Sequence, residues 1–151
     1  MPKKTKNIEY YEAVGRRKTS IARVRLYIVN KEKIAIVNGN KIKAGEIYIN
    51  NKPAEKTFPA LQEKEQYLLP LRLTQNEDRF AISILLRGGG RTGQVEAMVH
   101  GLSRALLHIE EATFKPLLRK EGLLTRDPRA RERRKVGTGG KARRSKQSPK
   151  R

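Results

Sequence analysis

The sequence predicts an α+β fold, a mostly antiparallel sheet with helices on one face, followed by an extended basic tail. Three observations carry this. Alternating apolar and polar residues concentrate in the first half of the chain, whereas the second half holds an apolar stripe of helical period. Positive charge is segregated: residues 125–151 hold twelve basic and two acidic residues, a net +10, which is half of the chain's +20.

The elements follow in order. Ala22, Val24, Leu26 and Ile28 alternate with Arg23, Arg25, Tyr27 and Val29, the pattern of a half-buried strand whose second face is partly basic. Residues 33–37 and 45–50 read as short strands joined by a turn around Asn38-Gly39, a strong local hairpin signal. Residues 53–58 and 61–69 read as helical or irregular, punctuated by Pro59 and Pro70. Residues 79–86 form an apolar strand that Gly88-Gly89-Gly90 ends. Over residues 94–109, Val95, Met98, Val99, Leu102, Ala105, Leu106 and Ile109 make one stripe, so this helix packs on the sheet. A second helix, 112–120, stops at Gly122, where a helix C-terminal glycine belongs; Pro116 implies a late start or a kink. Beyond Leu124 the aliphatic side chains are Ala130, Val136 and Ala142, too few to offset the entropy of ordering the segment. The chain therefore divides into a basic N-terminal extension (1–9), a globular body (10–124) and a tail (125–151).

Thirty-five Lys and Arg stand against fifteen Asp and Glu in 151 residues. An excess of that size repels itself unless a polyanion neutralises it, and nucleic acid is the leading partner. A membrane surface would require a basic amphipathic helix with Trp and Phe on its apolar side. The chain has no Trp, and its three Phe are scattered. Without cysteine there is neither a disulfide framework nor a thiolate metal site. His100 and His108 lie on or near one helix face, which suits packing or solvation better than ligation, so no metal or cofactor is expected.

Gly88-Gly-Gly-Arg-Thr-Gly93 has the spacing of a dinucleotide-binding loop between strand and helix. That chemistry needs a second parallel strand ending in an acid about 20 residues on, to hold the ribose. Glu110 and Glu111 have the offset but close a helix, and Gln94 and Val95 occupy the places a P-loop gives to Lys and Ser/Thr. The loop still presents backbone N–H groups and a helix N-terminus, with Arg87 and Arg91 beside them, and this suits an RNA phosphate. Three cations, Arg16, Arg17 and Lys18, precede the first strand. No Ser/His/Asp set or pocketed carboxylate pair is visible, so no catalysis and no small-molecule substrate are expected.

Together these segments resemble a known family. Residues 10–24 (Tyr-Tyr-Glu-Ala-Val-Gly-Arg-Arg-Lys-Thr-Ser-Ile-Ala-Arg-Val), 88–94, 100–106 (His-Gly-Leu-Ser-Arg-Ala-Leu), 124–129 (Leu-Thr-Arg-Asp-Pro-Arg), 132–137, 141–144 and the final Lys150-Arg151 are similar to the ninth protein of the small ribosomal subunit, bacterial or organellar in form. Seven motifs in the family's order cover nearly all of the chain outside residues 1–9 and 30–80. The resemblance implies the ribosomal S-five domain-two-like fold, with a left-handed βαβ crossover. It implies a place in the subunit head, in the cytoplasm or in an organelle's matrix or stroma, beside other head proteins. The ribosomal RNA contacts would fall to Arg16, Arg17, Lys18, Arg87 and Arg91 in the body, and to Arg126, Arg129, Arg133, Arg134, Lys135, Lys141, Arg143 and Arg144 in the tail. Lys150 and Arg151 would touch the peptidyl-site tRNA. Three features depart from the family: an extra hairpin within about 30–44, Thr138-Gly139-Gly140 in place of a shorter basic link, and Ser148-Pro149 where an aromatic and a Ser are usual.

Overall fold

Two long strands, residues 8–17 and 20–28, lie side by side in the sheet. The computed structural model describes residues 3–5, 8–29, 34–37 and 39–133. In chain order the elements are β1 (Lys3–Thr5), β2 (Ile8–Arg17), β3 (Ser20–Ile28), β4 (Ile34–Val37), β5 (Asn40–Lys43), β6 (Ile47–Ile49) and β7 (Lys52–Pro53). After these come α1 (Ala54–Thr57), α2 (Leu61–Leu73), β8 (Phe80–Arg87), α3 (Arg91–Leu107) and α4 (Glu111–Lys120).

The main sheet runs β1-β2-β3-β8-β6-β7. All pairings are antiparallel except β6 with β8, so β6, α2 and β8 form the one βαβ crossover among the described residues. The α+β class expected from the sequence is what the chain adopts.

β2 is a strand that the apolar pattern did not announce. Its inward positions are Tyr11, Ala13, Gly15 and Arg17, of which Gly15 lacks a side chain and Arg17 is charged. α3 explains the glycine: a Cβ on Gly15 would lie 2.0 Å from the Ala97 carbonyl and 2.3 Å from the Gly101 nitrogen. The helix thus rests directly on backbone, a contact that any side chain would wedge apart. Lys18 and Thr19 form the turn into β3, Lys18 with φ 49°.

β4 pairs with β5, not with the segment 45–50 as the sequence suggested, and Asn38 of the expected turn lies outside the described residues. That pair forms a separate two-stranded sheet, while β6 enters the main one. Register decides this: Ile34 pairs with Lys43 and Val37 with Asn40. Pro70 lies inside α2 rather than ending it, its carbonyl accepting hydrogen bonds from the Thr74 N–H and hydroxyl. Pro116 likewise lies inside α4. Gly122 has φ 69°, and the Leu123 N–H reaches back to the Leu118 carbonyl, so the glycine terminates α4 as expected.

The core lies between the sheet and its helices. Val24, Leu26, Ile82 and Ile84 meet Val95, Met98, Leu102 and Leu106 of α3, and Leu118 of α4 joins them. A smaller cluster forms on the other face, where Ala35, Val37 and Ile42 of the hairpin cover Tyr10, Tyr27 and Ala81.

Candidate nucleic-acid interface

The end of the sheet bearing the Lys18–Thr19 turn gathers most of the body's expected RNA contacts. β8 delivers the triple glycine onto that turn, with Gly88 and Gly89 at φ 69° and 68°. A Cβ on Gly88 would lie 2.6 Å from the Thr19 carbonyl, and one on Gly89 would lie 1.8 Å from the Ser20 hydroxyl. Only glycine satisfies both the left-handed backbone and the close approach. Lys18, Arg87 and the start of α3 are thereby held on one end of the molecule.

α3 begins there without a side-chain cap and without an acid in its first turn. Its N-terminal N–H groups and helix dipole therefore remain uncompensated and favour an external anion. Arg16, Lys18 and Arg87 are exposed and have no ion pair among the described residues. Arg91 differs: its guanidinium holds Glu63, with Nη2 2.8 Å from Oε2, and lies 5.7 Å from the centre of the Phe58 ring. The arginine holds the Glu63 carboxyl below its usual range, chiefly through that hydrogen bond.

Arg17 points the opposite way from its neighbour Arg16. Only 9% exposed, it donates to Glu96 and, at 2.7 Å, to the Arg129 carbonyl, and it forms an ion pair with Asp127 at 2.8 Å. Asp127 also accepts from the Arg129 side chain and backbone, contacts that depress its carboxyl strongly. Beside this joint, His100 Nδ1 accepts the Arg16 backbone N–H at 3.3 Å. The neutral ring therefore carries its proton on the other nitrogen. Burial first, then Arg104 and Arg126, push the His100 pKa down. Arg17, His100 and Asp127 thus line a cleft of about 360 Å³ from which the tail departs.

The structure sorts the sequence candidates. Arg16, Lys18, Arg87, Arg126 and Arg133 are exposed. Arg17, Arg91 and Arg129 are engaged within the protein. Arg134, Lys135, Lys141, Arg143, Arg144, Lys150 and Arg151 lie outside the described residues. Sequence reading missed the joining role of His100, which no local pattern encodes because its partners lie on β2 and after α4. In the glycine loop, β8 and α3 do flank the motif, but among the described residues only α4 and irregular chain follow α3. The second parallel strand of a dinucleotide fold is not among them.

The charge, the phosphate-suited helix end and the tail root agree with what the comparison with known families returns. The family described as ribosomal protein S9/S16 matches residues 15–151. The chain therefore belongs to that ribosomal protein family, as a structural, RNA-binding component of the small ribosomal subunit.

Proposed function

We propose that this protein binds ribosomal RNA in the subunit head through the Arg16, Lys18 and Arg87 end of its sheet. Its tail, residues 125–151, then extends along RNA to bring Lys150 and Arg151 to the peptidyl-site tRNA. The observation that carries the body's part is the meeting of three unpaired cations with an uncapped helix N-terminus on one end. Such a cluster is costly to hold unless phosphates neutralise it. The tail's part rests on the family's terminal Lys-Arg motif and on the run of cations leading to it. Neither part requires a cofactor or a catalytic group.

Binding of a head-domain ribosomal RNA fragment, measured against salt, tests the body. Each of Arg16→Ala, Lys18→Ala and Arg87→Ala should flatten the log–log slope by about 0.7–0.9. Unchanged slopes in all three would show that these cations are merely solvated. Deleting Lys150 and Arg151 tests the tail: subunits should assemble, while peptidyl-site tRNA binding weakens about fivefold, the effect of losing a contact worth roughly 1 kcal/mol. Undiminished tRNA binding would confine the tail to ribosomal RNA.

A further inference from the structure

The sheet has a second face, and the helices leave it bare. Strand register arranges its side chains in rows across β2, β3 and β8. Arg16, Ile21 and Arg87 form the row nearest the Lys18–Thr19 turn, and Val14, Arg23 and Leu85 form the next. Glu12, Arg25 and Ser83 make the third row. The fourth is Tyr10, Tyr27 and Ala81, which the β4–β5 hairpin covers. No described element covers the first two rows.

Their chemistry is specific. Arg16, Arg23 and Arg87 are exposed and carry no ion pair among the described residues, whereas Arg25 is neutralised by Glu12 at 2.7 Å. Alternate residues on a strand stand about 6.8 Å apart and neighbouring strands about 4.8 Å. The three free guanidinium groups therefore ring Ile21, which is 42% exposed. Arg23 also edges a shallow hollow of about 80 Å³ shared with Asn51 and Leu85. Cations set around apolar side chains match a nucleic-acid strand: the guanidinium forks take phosphate oxygens, while Ile21 and Leu85 meet ribose and base surfaces. The row of Arg16 and Arg87 is continuous with the turn and glycine loop, so one RNA can run from that end onto this face.

We propose that the helix-free face is a second ribosomal RNA surface, centred on Arg23. The proposal rests on the RNA-binding role assigned to the Lys18 end. Arg23 makes no contact that the fold needs, so Arg23→Ala should melt like the parent protein. It should weaken binding to the head RNA fragment about fivefold at physiological salt and flatten the salt slope by about 0.7–0.9. A photoreactive benzoylphenylalanine in place of Ile21 should cross-link to ribosomal RNA in assembled subunits. If Lys18→Ala flattens the slope and Arg23→Ala does not, the second surface is refuted while the first stands. If Arg16→Ala, Lys18→Ala, Arg87→Ala and Arg23→Ala all leave it unchanged, both fail. Cross-linking of position 21 to a ribosomal protein instead of RNA would likewise overturn the proposal, making the face a protein contact.

Discussion

Replacing Arg17 by alanine would empty the joint between β2 and the segment that follows α4. The side chain is 11% exposed and serves three acceptors, Glu96, Asp127 and the Arg129 carbonyl. Its carboxylate partners are 44% and 29% exposed, so both regain water once the guanidinium is gone. Breaking a fully buried pair costs about 3–5 kcal/mol and an exposed one about 0–1 kcal/mol. Arg17 lies between, and its removal should cost about 2 kcal/mol. For a body of this size that corresponds to a loss of roughly 8 °C in Tm. Hydrogen exchange adds the location: amides of 125–129 should exchange faster in the variant while α3 stays protected. Arg17→Lys should recover little, because one ammonium group cannot span three acceptors fixed in a fork. An unchanged Tm with unchanged exchange would refute the joint. An unchanged Tm with a flattened salt slope for RNA would instead make Arg17 an RNA contact, the role its place in a basic run suggested.

Other outcomes can be stated briefly. Because the His100 pKa is lowered from its ordinary 6.5, the folded state favours the neutral ring. Its contribution to stability is therefore full above about pH 6.5 and declines as pH falls toward the folded value. Melting at about pH 7.5 and 5.5 should show an acid loss in the parent that His100→Gln lacks; equal losses would remove His100 as the cause. Gly15→Ala places a methyl against α3 backbone and should cost about 3 kcal/mol or prevent folding, as far-UV circular dichroism would report. The Asn50 side chain both donates to the Leu86 carbonyl and accepts its N–H, extending the sheet past β6 from a backbone with φ 48°. Asn50→Ala should cost roughly 2 kcal/mol in urea unfolding, and a cost near zero would show the pair to be incidental.

Elements whose burial is one-sided and apolar are legible in the chain, because such elements print their own period. Ala22, Val24 and Leu26 gave β3 away, and Val95, Met98, Leu102 and Leu106 gave away α3. Gly122 marked the end of α4, and the crowding of cations after Leu124 marked the tail. The ordered motifs, from the Gly-Arg-Arg-Lys run to the terminal Lys-Arg, identified the family. What each cation does is settled by long-range packing. Arg16, Arg17 and Lys18 are consecutive and chemically alike, yet pleating sends Arg16 to solvent and Arg17 under the tail root, while Lys18 sits at a turn. β2 itself stayed hidden because its inward residues fit α3 rather than a generic apolar layer: Gly15 accepts the helix backbone, and Arg17 finds Glu96 and Asp127. Those partners lie about 80 and 110 residues away, beyond the reach of any local pattern. A charge is free or bound according to what folding brings beside it, and that depends on long-range contacts the local sequence does not display.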